Sequence, residues 1–172
     1  MTLYSRSMNM LAGPLLLLAL FTLMEGVAYA AHRWIMHGPG WFLHASHHRT
    51  RTGLFEANDF YALLFALPSI LLFWWGIGLG HGALWAWAGG GIAAYGAVYF
   101  AFHDVLVHRR IRHRFVPRWS YAKRLVQAHR IHHAVETRKG AVSFGFLYAP
   151  RIAALRAQLR AQGGAARRQS RL

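Results

Sequence analysis

Three stretches of this 172-residue chain are long, apolar and almost free of charge, and they limit the fold more than any other feature. Leu11–Ala31 holds one charged side chain, Glu25, whereas Phe60–Gly80 and Gly82–Phe102 hold none. Each is about 21 residues, roughly 31 Å as a helix, which matches the hydrocarbon core of a bilayer. Only His81, in GIGLGHGAL, separates the second from the third, so those two helices form a tight hairpin. The expected fold is an all-α integral membrane protein with about three transmembrane helices. Composition agrees: 55% of residues are hydrophobic and mean hydropathy is +0.21, although 20 Lys and Arg stand against 5 Asp and Glu, a net charge of +15. Apolar content with segregated positive charge is a membrane-protein signature.

The positive charge sets an orientation. Only Arg6 precedes the first span, and the hairpin around His81 has no basic residue. The loop from His32 to Asp59 carries Arg33, Arg49 and Arg51, and all the other Lys and Arg residues follow His103. The positive-inside rule then places the loop and the C-terminal part in the cytoplasm, where they form a helical cap, and the N-terminus outside. Residues 1–160 read as one membrane-embedded domain and residues 161–172 as a disordered basic tail. Arg6, the leucine-rich core and Ala28-Tyr29-Ala30 imitate a secretory signal. Two features oppose that reading: the apolar stretch runs straight into His32, and cleavage with export would put the basic tail on the wrong side. GGGIAAYG resembles a nucleotide-binding glycine loop, but it lies mid-span with no strand before it. Close helix packing is its better explanation.

The chain has 12 histidines and no cysteine. The missing thiols exclude disulfides, thiolate zinc sites, cysteine-ligated iron–sulfur clusters and cysteine nucleophiles. Ten histidines fall into a repeated pattern. His32 and His37 form H-x4-H, followed by His44, His47 and His48 as H-x2-H-H; His103 and His108, then His129, His132 and His133, repeat it. In H-x2-H-H the spacings i, i+3 and i, i+4 lie on one helical face, so three imidazoles converge. In H-x4-H the two side chains are about 140° apart on an ideal α-helix, so to meet they need the helix to bulge, tighten or end between them. Gly38 and Pro39 suit a helix end just after His37. All four clusters map to the same side of the membrane.

Imidazole suits zinc, iron, copper and nickel, and ten ligands exceed the four of one tetrahedral zinc. Two metals with about five nitrogens each fit the count. His81 and His113 stand alone and are not expected to be ligands. Glu56, Asp59, Asp104 and Glu136 lie near the clusters as candidate partners for the far ring nitrogens. Glu25, an acid inside the first span, is a candidate substrate-cavity or partner-helix residue.

The segments HRWIMHGPGWFLHASHH, FEANDFYALLFALPS, FHDVLVHRR and AHRIHHAVETRKGAVSFGFLYAP resemble the bacterial non-haem di-iron β-carotene 3-hydroxylases of the fatty acid hydroxylase/sterol desaturase superfamily. The resemblance covers roughly His32 to Pro150. It implies two non-haem irons bound by the ten histidines, O2 as co-substrate, and hydroxylation at C3 of each β-ionone ring, from β-carotene to β-cryptoxanthin and zeaxanthin, with keto-carotenoids leading toward astaxanthin. The histidine pattern alone also fits a fatty acyl hydroxylase or desaturase, or a carotenoid ketolase. No catalytic side chain beyond the metal ligands is implied. A carotenoid entering from the bilayer would meet aromatic residues, for which Trp34, Trp41, Phe42, Phe55, Phe60 and Tyr61 are candidates; an interfacial belt explains them equally well. With no nicotinamide or flavin motif, electrons come from an external carrier, a ferredoxin with its reductase. The basic face between Arg109 and Arg138 would steer that carrier or bind anionic lipid. No nucleic-acid-binding fold is recognisable there. The implied location is the inner, cytoplasmic membrane, with the histidine site on the cytoplasmic side.

Overall fold

The computed structural model describes residues 3–51 and 53–169, with side chains for 11–51 and 53–163. Among the described residues there is no strand. Helix α1 (Leu3–Ala30) runs without a break into a π-helical turn, π1 (Ala31–Met36), followed by the short α2 (Trp41–His44). Helix α3 (Asp59–Phe73) continues as π2 (Trp74–Gly78), and α4 (Ala83–Tyr99) continues as π3 (Phe100–Val107). Helices α5 (Ser120–His133) and α6 (Ile152–Gln169) complete the chain. The expected tail, 161–172, lies largely outside the residues whose side chains are described.

Three helices are long and apolar enough to cross a membrane: Leu11–Met36, Asp59–Gly78 and Ala83–Val107. The first and third extend about five residues past the uncharged runs, because each apolar helix passes into a π-helix that carries the first histidine of an H-x4-H pair and ends one residue before the second.

The described backbone gathers into two compact units. The first combines Met1–Val27 with Asp59–Ala101. Its helices are exposed along most of their length, with Leu11, Leu63 and Ile77 among the bare side chains, as suits contact with lipid rather than water. Small residues let the helices touch. A Cβ on Gly91 would sit 2.5 Å from the Leu17 carbonyl oxygen, so only glycine admits α1 this close to α4. The Ser69 hydroxyl donates to the Gly89 carbonyl at 2.8 Å, joining α3 to α4. Glu25 is a partner-helix residue, accepting a 2.8 Å hydrogen bond from the buried Tyr95 hydroxyl. His81 forms the hairpin between Gly80 and Gly82, both at positive φ, and stacks on Trp75.

The second unit combines Ala28–Asn58 with Phe102–Leu172. Its apolar core is small: Leu125 and Ala128 of α5, Leu155 of α6, and Val142 and Ala149 between them. All ten clustered histidines belong to this unit.

Candidate metal centre

The H-x4-H pairs reach a common face through an i+5 hydrogen bond. The His37 N–H donates to the His32 carbonyl at 3.0 Å, and His108 N–H donates to the His103 carbonyl at 3.0 Å. One extra residue per turn closes the offset that an α-helix would leave, so the break between the two histidines is a π-bulge. Gly38 ends π1; a Cβ there would fall 1.9 Å from the Trp34 carbonyl oxygen.

The ten imidazoles form two groups of five. His32, His37, His44, His48 and His132 make the first; His47, His103, His108, His129 and His133 make the second. Within each group the ligand atoms lie within 4.8 Å of one another. Each cage takes one H-x4-H pair. The H-x2-H-H runs are shared: His44 and His48 go to the first cage and His47 to the second, while His129 and His133 go to the second and His132 to the first. The two cages abut, with the His48 and His133 rings stacked at 4.4 Å.

For seven of the ten rings, hydrogen bonds at Nδ1 leave Nε2 as the nitrogen available to a metal. In the first cage every Nδ1–H donates to an oxygen: His32 to the Phe144 carbonyl (2.9 Å), His37 to the Arg138 carbonyl (3.0 Å), His44 to the Asn58 side-chain oxygen (2.7 Å), His48 to the Val135 carbonyl (2.8 Å) and His132 to the Val142 carbonyl (3.1 Å). In the second cage His47 donates to Glu56 at 3.2 Å and His103 to Asp104 at 2.6 Å. A neutral imidazole that has committed its proton at Nδ1 carries a lone pair at Nε2.

Those lone pairs face each other. The Nε2 atoms of His32 and His44, His37 and His132, and His48 and His132 are each 3.2 Å apart; His47 and His103 are 3.0 Å apart. His133 Nε2 is buried without any partner. Bare lone pairs at such separations repel, and a cation among them removes the conflict. An all-nitrogen set of five suits a borderline transition metal. The residues therefore fit one metal ion per cage.

Protonation does not offer an alternative resolution. Burial, then neighbouring imidazoles, holds His47, His129 and His132 well below the ordinary histidine range. Burial pushes His44 and His108 down to about 3 and His48 to about 4, and lowers His37 and His133 as well.

Aromatic rings wall the cages. Phe146 stacks on His32 at 5.2 Å, Phe144 packs against His32, His37 and His132, and Trp41 against His37, His44 and His48. On another side, an open cleft of about 390 Å³ is lined by His47, His48, His108, His129, His133, Arg49, Arg130 and Glu136.

All ten expected ligands thus come together. Glu56 and Asp104 contact ligands, Glu136 lines the cleft, and Asp59 opens α3 in the other unit. Of the expected aromatics, Trp41 packs on the first cage; Trp34, Phe42 and Phe55 are exposed side chains of the same unit. Phe60, exposed, and Tyr61, buried, belong to α3. His113 bonds to the Val105 carbonyl and joins neither cage. Sequence reasoning missed Asn58, Phe144, Phe146 and the carbonyls of residues 135–144, although the FEANDFYALLFALPS and AHRIHHAVETRKGAVSFGFLYAP segments carry them.

The fatty acid hydroxylase family model matches residues 17–150. The chain is 53% identical over 144 residues to a beta-carotene hydroxylase of Pantoea ananas, covering 83% of this chain and 80% of that one. It is 48% identical over 154 residues to a beta-carotene hydroxylase of Paracoccus sp. (strain N81106 / MBIC 01143), covering 87% and 91%. It is 37% identical over 131 residues to the chloroplastic beta-carotene 3-hydroxylase 2 of Arabidopsis thaliana, covering 74% of this chain and 42% of that protein. No solved structure matches. A family match over most of its length, on a chain with three apolar spans and two histidine cages, means that the protein belongs to the fatty acid hydroxylase family.

Proposed function

We propose that the chain is a β-carotene 3-hydroxylase, inserting an oxygen atom from O2 at C3 of the β-ionone ring to give β-cryptoxanthin and then zeaxanthin. Rings already carrying a keto group lead toward astaxanthin. The observation that carries this reading is the near-half or greater identity to beta-carotene hydroxylases over most of both chains, in a protein whose histidines form two five-nitrogen cages.

Two irons in the cages would supply the oxidising power that an unactivated C–H bond requires and that no side chain provides. The protein's own contribution is positional. Nδ1 hydrogen bonds orient seven of the ten side chains, all five of the first cage and His47 and His103 of the second; Phe144, Phe146 and Trp41 cover the first cage with apolar surface and keep water from its faces. The three apolar spans suit a substrate that dissolves in lipid. With no cysteine and no nicotinamide or flavin motif, the chain draws electrons from a ferredoxin-type carrier with its reductase. Arg49 and Arg130, at the cleft, favour approach of an acidic protein, and the wider basic surface also favours anionic lipid. The arginine distribution favours the inner membrane with the histidine-bearing segments in the cytoplasm.

Production of the chain in cells that accumulate β-carotene tests the reading. Chromatography of pigment extracts is expected to show β-cryptoxanthin and zeaxanthin. Unchanged β-carotene beside iron-loaded, membrane-inserted protein would overturn it, and hydroxylated acyl chains in the same cells would move the assignment to fatty acids.

A further inference from the structure

The two cages have the same ligand count but different surroundings. We propose that they are electronically unequal and that Glu56 and Asp104 make them so, an inference that rests on the di-iron reading above. In the first cage all five Nδ1–H groups donate to neutral oxygens, four main-chain carbonyls and the Asn58 amide. In the second, two of the five donate to carboxylates, His103 at the short distance of 2.6 Å. A carboxylate draws the imidazole proton toward itself more strongly than a carbonyl does, which makes the ring a stronger donor through its other nitrogen.

Each carboxylate divides its oxygens between a histidine and an arginine. Glu56 Oε2 takes His47 while Oε1 lies 3.7 Å from Arg51; Asp104 Oδ1 takes His103 while Oδ2 lies 3.3 Å from Arg110. The arginines hold the carboxylates in place and offset their charge from the far side. The oxygen nearest each imidazole still carries the negative charge that reaches the ligand nitrogen. Glu56 and Asp104 are therefore positioning residues, acting through His47 and His103. They favour Fe3+ in the second cage, so a one-electron reductant converts Fe3+ to Fe2+ first in the cage of His32, His37, His44, His48 and His132, and in the other only at a lower potential.

The test is a dithionite titration of 57Fe-loaded protein, followed by Mössbauer spectroscopy, with iron content measured in every sample. At one electron per chain, the half-reduced form is expected to exceed the one-half that two equal, independent sites give. Glu56→Gln or Asp104→Asn raises the potential of the second cage alone, and Asn58→Asp lowers that of the first alone. Each of the three is expected to bring the half-reduced fraction back toward one-half. Cages that are alike in the native protein would instead be driven apart by any of these substitutions, and that result overturns the proposal, as does a native half-reduced fraction of one-half or less. The native titration decides the matter if a variant fails to load. Protein that never takes up two irons would overturn the di-iron reading itself, whereas two irons with equal behaviour would overturn only the asymmetry.

Discussion

At His132, which has no exposed surface, the two ring nitrogens have separate tasks: Nδ1–H donates to the Val142 carbonyl, and Nε2 faces His37 and His48. At His47 the same division holds, with Glu56 behind the ring and His103 in front. Because each of these side chains serves one cage, their loss is expected to be selective. His132→Ala should lower bound iron from about two per chain to about one by weakening the first cage, and His47→Ala should do the same at the second. Both should abolish carotenoid turnover while the protein still inserts into the membrane. Plasma emission spectroscopy of purified protein measures the first effect and pigment analysis the second. Full metal content in either variant would contradict the ligand assignment.

At the scale of elements, the cages depend on backbone that is not regular α-helix. π1 and π3 bring histidines five apart onto one side. The segment between Val135 and Phe144 supplies four carbonyls to four imidazoles of the first cage. Ser143 makes the last two possible. Its φ of 65° turns the chain so that the carbonyls on either side, at Val142 and Phe144, both find a histidine. A non-glycine residue in this region persists only when its surroundings hold it there. Ser143→Val places a β-branched side chain in the strained conformation and is expected to cost about 1–3 kcal/mol and to reduce iron in the first cage. Ser143→Gly removes the strain and should keep full iron content. Chemical denaturation with parallel metal analysis distinguishes the two; equal stability of the two variants would show that the turn does not constrain the cage.

Across the whole molecule, the buried imidazoles make stability depend on acid. A histidine in the unfolded chain titrates near 6.5, while in the metal-free fold burial delays His48 to about 4 and His44 and His108 to about 3. Between those values the unfolded state binds more protons, so stability is complete above about pH 6.5 and drains away as the pH falls toward 3. Thermal unfolding of metal-free protein should show a Tm that is level above about pH 7 and falls steadily below about 6; a flat profile would contradict the burial of these rings. Much of this arrangement was readable from residue order. Span length is a local property of apolar runs, and the misfit of H-x4-H with an α-helix required the break that π1 and π3 provide. The partition of the histidines was not readable, since it depends on how α5 meets α2 in space. Nor were the supporting carbonyls, because every residue has one and residue type does not reveal where it points; Ser143 carries no outward sign of its turned backbone. The crossed sharing of the two H-x2-H-H runs has a last consequence. Neither copy of the repeat owns a finished cradle: each brings four nitrogens to one cage and lends a single nitrogen to the other. Either half expressed by itself would come up one donor short, so holding a pair of ions would take both.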